Sequence, residues 1–69
     1  MNRNTKKLDI IIDKVEDYLV YEYDSMYVAK MNNKKHKEII HSYIKNCVSI
    51  NKTVPYIAQG IVRYFGGIQ

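Results

Sequence analysis

The apolar positions of this chain recur at helical intervals almost from end to end. Leu8, Ile12, Val15, Leu19, Tyr23 and Met26 are separated by four, three, four, four and three residues, which keeps them on one face of an α-helix. This predicts a long first helix over about 5–30, started by a cap at Asn4 or Thr5, with a possible break near Asp24-Ser25. The Asn32-Asn33 pair is the first clear linker. A second helix is expected over about 34–50, with Ile40, Tyr43, Ile44, Cys47 and Val48 as its apolar face. Thr53 then offers an N-cap and Pro55 falls in a first turn, where its missing N–H is harmless. A third helix over about 54–65 would bury Ile57, Ala58, Ile61, Val62 and Phe65 and stop at Gly66-Gly67.

One alternative competes in the middle of the first segment. Tyr18 to Tyr23 is rich in aromatic and β-branched residues, and Asp24-Ser25 could turn the chain into Met26–Met31 as a hairpin. That would make the chain α+β, with the hairpin at about 18–31. Asp-Ser is a poor two-residue hairpin turn and the helical period runs through the segment, so the primary expectation is an all-α, three-helix domain over residues 1–69. A helix reaching Lys30 would overhang its partners. Its second face carries Ile10, Val20, Tyr21 and Val28, with Tyr18 and Tyr27 beside them. These six residues are the expected protein-partner or homodimer surface.

Length narrows the chemistry. Sixty-nine residues hold one small core and leave no room for a large cofactor cleft. Cys47 is the only cysteine, so no internal disulfide can staple the chain. No apolar run approaches the roughly 18 residues of a membrane span; the expected location is cytoplasmic. No cofactor is indicated, and His36 and His41, five residues apart, point to different helical faces, so no metal site is expected. Asp9, Asp13, Glu16 and Asp17 read as a solvated helix flank rather than acid–base machinery, and the expectation is a protein that is not an enzyme.

Charge is distributed unevenly. Residues 1–24 hold four basic and six acidic side chains, net −2, while residues 25–69 hold seven basic and one acidic, net +6. The split predicts an acidic face and a basic face. Lys, Asn, Ile and Tyr make up 32 of the 69 residues, as an AT-rich genome of a low-GC bacterium, its phage or its plasmid would supply them. Lysine abundance alone therefore says little, and position must decide. Lys34, Lys35 and Lys37, with Lys30 and His36, surround the start of the second helix as candidate phosphate contacts; Lys52 lies ahead of the third. Tyr56, Gln59 and Arg63 recur at i, i+3 and i+7 on the third helix, opposite its apolar face, with residue types that read base edges and phosphates. Gly60 beside them would admit close approach of DNA or of another helix. The leading expectation is a small DNA-binding regulator of phage or plasmid type, helix three to bases and lysines to phosphates. The alternative is a non-enzymatic module that docks a host protein through the first helix.

Overall fold

Whether the long apolar period closes into one helix depends on Asp24. In a computed structural model of the protein, which describes residues 3–66, the Asp24 carboxylate accepts a hydrogen bond from the Met26 backbone N–H at 2.8 Å. This local Asx bond offers the backbone an alternative to the helical ladder, and the helix ends there. The result is α1 (Arg3–Glu22) followed by a short α2 (Met26–Met31), where uninterrupted periodicity predicts one helix over 5–30. The fold is all-α, with four helices among the described residues; the hairpin at about 18–31 does not form. Asn4 and Thr5 lie within α1 instead of capping it.

The remaining boundaries follow their local signals. Asn33, extended at φ −64° and ψ 134°, caps α3 (Lys34–Ser49) by accepting the Lys35 N–H at 2.9 Å. Asn32 donates to the Glu16 carboxylate at 2.7 Å and to the Val28 carbonyl at 2.9 Å, which ties the end of α2 to α1. At the other end of α3, Asn51 takes the left-handed conformation at φ 60°. Asn51 N–H then reaches the Val48 carbonyl and Lys52 N–H the Cys47 carbonyl, a Schellman closure with asparagine where glycine is commoner. Thr53 precedes α4 (Val54–Gly66), and its hydroxyl lies 3.4 Å from the Tyr56 N–H. Gly66 is still helical, and Gly67, the other half of the expected stop, lies outside the described residues.

α1, α3 and α4 form a bundle, and α2 closes one end. Contacts set the directions. Lys7 and Ile11 lie beside Val54 and Ile57, so α1 and α4 start together and run parallel. Glu16 meets Asn32, while Leu8 lies beside Ser42 and Lys45, so α1 and α3 are antiparallel. His36 packs on Tyr64 and Phe65, and Tyr43 covers Gly60, so α3 and α4 form an antiparallel hairpin. The core draws on every helix: Val15 and Leu19 from α1, Met31 from α2, Ile40, Ile44 and Cys47 from α3, and Ile57, Ala58 and Ile61 from α4.

α2 folds back, and this changes the fate of the tyrosines. Tyr18, Tyr23, Tyr27 and Phe65 make a chain of ring contacts with centroids 6.3–6.4 Å apart, and His36 and Tyr64 continue it at 5.2 and 5.0 Å from Phe65. Tyr18, Tyr27 and Val28 pack against the core instead of standing free for a partner. Tyr23 and Met26, which the period places on the buried face, are exposed because the break rotates them out.

Candidate nucleic-acid interface

The basic residues around the start of α3 divide among different neighbours, because the helix radiates side chains at 100° per residue. Lys34 and Lys37 line an open groove of about 450 Å³ with Leu8 of α1 and with Glu38, His41, Ser42 and Lys45 of α3. This is the flank of α3 that faces α1. His41 Nε2 is buried there with no hydrogen-bond partner among the described residues. His36 does not face solvent or phosphate. It is half-buried, shares a 3.1 Å hydrogen bond with the Tyr64 hydroxyl and packs edge-on against Phe65. Lys30 leaves the cluster as well: its Nζ sits 5.9 Å from the Tyr27 ring centre and 5.8 Å from that of Phe65.

Lys35 alone of the cluster is exposed on the outer side of α3, between the row of Ile39 and the row of Ser42 that borders the groove. On α4, Tyr56, Gln59 and Arg63 are all exposed, as their spacing predicts. Lys52 joins them through its Nζ, 4.8 Å from the Tyr56 ring centre. Between the two helices lies Tyr43, whose hydroxyl and ring fill the space a Cβ would take at Gly60. Of the two close approaches expected at Gly60, the structure shows that of another helix, through a tyrosine of α3.

Charge on this face has one sign. α4 contains no Asp or Glu, and the only acidic residue of α3, Glu38, lines the groove on the other flank. Among the described residues the other carboxylates belong to α1 and to Asp24. Among the described residues α4 thus presents Tyr56, Gln59 and Arg63, with Lys52 against Tyr56, and the outer side of α3 adds Lys35, Ile39 and Ile50. Isoleucines 39 and 50 went unnoticed in the sequence because they sit on the shoulder of the α3 apolar stripe. Lys34 and Lys37 are not part of this face.

Tyr43 reports on the same packing. Burial pushes its phenol up to about 12, a hydrogen bond to the Cys47 side chain adds to the rise, and the Arg63 charge opposes it. The folded state thus favours the neutral phenol, whose ordinary value is 10. The contribution is complete below pH 10 and is lost as pH rises from 10 toward 12. Tyr43→Phe should therefore lose stability less steeply across that window than the native chain, measured by urea unfolding at several pH values. Equal slopes would show that Tyr43 titrates as if exposed.

The surface expected on the first helix is divided. Ile10, Val20 and Tyr21 are exposed, whereas Tyr18, Tyr27 and Val28 are engaged internally. Among the described residues no three His, Cys, Asp or Glu side chains converge on a metal position, and no helix is long and apolar enough to cross a membrane. Comparison with protein-family models, curated proteins and solved structures finds no match.

Proposed function

We propose that this protein is a small DNA-binding regulatory protein that meets the duplex with the outer face of α4 and the adjoining flank of α3. The observation that carries the reading is the exposed row of α4, a helix without Asp or Glu, on which Tyr56, Gln59 and Arg63 stand together with Lys52 against the Tyr56 ring, and Lys35 on the outer side of α3. A phosphate backbone is drawn to such a row of cations. Gln59 and Arg63 carry the donors and acceptors that read base edges, while Lys35, Lys52 and the Tyr56 hydroxyl suit phosphates. α4 lies along α3 rather than projecting from it, so only its outer stripe reaches into a groove. Lys34 and Lys37, beside Glu38 on the far flank, contribute to the long-range field and not to the contact.

Binding to a labelled random duplex tests this. On a random duplex Arg63 joins Lys35 and Lys52 on phosphates, and three such cationic contacts give a slope near −2.7 against log salt, so affinity should fall about 40-fold between about 50 and 200 mM. The Lys35→Ala/Lys52→Ala/Arg63→Ala variant should lose nearly all of that binding, and Lys34→Ala/Lys37→Ala only a small part. No binding at low salt, or equal losses in the two variants, would overturn the assignment.

A further inference from the structure

The apolar period of α1 does not stop where α1 stops. Leu8, Ile12, Val15, Leu19, Tyr23 and Met26 keep one helical stripe through the break, yet Tyr23 and Met26 stand there 44% and 45% exposed. The break itself is slight. The Tyr23 N–H still bonds the Leu19 carbonyl at 2.9 Å, and Ser25 already has helical dihedrals, φ −62° and ψ −19°. What the turned path gains locally is the Asp24 carboxylate on the Met26 N–H, and no glycine or proline lies between Glu22 and Met26 to enforce it. The segment can therefore close into helix, joining α1 and α2 into one rod about 43 Å long. Such a rod could not serve one bundle. α1 buries Val15 and Leu19, while α2 buries Met31 and packs Val28 against the core. On a continuous helix Met31 lies about 160° round the axis from Val15, and Val28 about 180° from Leu19. Only the turn at Asp24 brings both inward faces onto the same core; without it they need two cores.

We propose that the protein dimerises by exchanging α1. In each chain α1 and α2 fuse, α2 stays on its own α3–α4 hairpin, and α1 crosses to the hairpin of a second copy. The contacts that α1 leaves are the ones it regains, with α2, α3 and α4 of the other chain, so the chain's own core specifies the partner. Two things change. Each hinge trades its Asx bond for the backbone bonds of an unbroken helix. The two rods also pass each other about a twofold axis, with Tyr23 and Met26 at the crossing, where these exposed side chains cover one another. Against this stand the lost cap and the entropy of association. The dimer is therefore a minor form favoured by concentration. Because α1 must leave one core before it enters another, the two forms interconvert only when the fold opens, and slowly. The argument is independent of nucleic acid, and so is its test.

Sedimentation velocity on the full chain, freed of nucleic acid and refolded from urea, is the measurement. Refolding at about 1 mM should yield a dimer that is absent after refolding at about 10 µM, and the dimer should persist for minutes or longer once diluted. Asp24→Ala removes the Asx bond and favours helix; with two hinges per dimer, the association constant should rise about ten-fold or more. Asp24→Gly loses the same carboxylate but disfavours an unbroken helix, and should show no such rise. Ser25→Pro suits the φ of −62° and turns Asp24 away from helical dihedrals, so it should remain monomeric, with helix content checked by circular dichroism. A native chain that stays monomeric after refolding at every concentration overturns the proposal. So does a dimer that falls apart as soon as it is diluted, or one that Ser25→Pro forms as readily as the native chain.

Discussion

Met31→Ala is expected to lower the unfolding free energy by about 3 kcal/mol, whereas Met26→Ala should change it by less than about 0.5 kcal/mol. Both methionines belong to α2 and both substitutions remove the same atoms. Met31 is 0% exposed at the meeting point of the helices, while Met26 is 45% exposed at the start of the same short helix. Six residues cannot hold a helix by themselves. The position of α2 therefore depends on the side chain that anchors it. For a domain of this length total stability is on the order of 3–10 kcal/mol, so losing Met31 removes a third of it or more. Urea unfolding followed by circular dichroism reads both values. Equal, small costs would mean that α2 does not fold back and that the first helix continues outward.

Gly60→Val should cost about 2 kcal/mol despite replacing glycine inside a helix. Taken alone, the substitution gains helix propensity, by less than about 1 kcal/mol. The opposing effect is steric. A Cβ at residue 60 would coincide with the Tyr43 hydroxyl and lie 2.6 Å from Cζ of the ring. The ring has to leave, or α3 and α4 have to part. Because the blocking atoms sit at the far end of one side chain, Tyr43→Ala should restore much of the loss. Stability of the Tyr43→Ala/Gly60→Val double variant is thus expected to exceed the sum of the single effects by about 1 kcal/mol or more. Strict additivity would show that the two residues do not share the space.

Several features were legible in the sequence because they depend only on neighbours along the chain. Asn33 marks where α3 begins, and Asn51, Thr53 and Pro55 mark where it ends and α4 begins. Val15, Leu19, Ile40, Ile44, Cys47, Ile57, Ala58 and Ile61 are buried as their periodicity requires. Asp24-Ser25 is where the first helical period stops being one helix. The uneven charge also follows the helices: α1 holds five acidic side chains against four basic, whereas α3 holds only Glu38 and α4 holds none.

What the sequence could not convey is which neighbour each flank would meet. A helical period gives the angle of a side chain about its own axis and says nothing of what lies at that angle. Lys34, Lys35, His36 and Lys37 are adjacent in sequence, yet two line the α1 groove, one is exposed on the outer side of α3, and the histidine packs on Phe65. Tyr18, Tyr27 and Val28 look like surplus apolar surface until α2 turns back and covers them. Gly60 reads as an approach point for DNA or for another helix, and only the packing shows Tyr43 of α3 over it. Local hydrogen bonds and burial period, both short-range in sequence, determined the helices and their inward faces. The assignment of outward faces waited on the packing of α1 and α2 against the α3–α4 hairpin, since only that long-range contact fixes which side chains remain in water together.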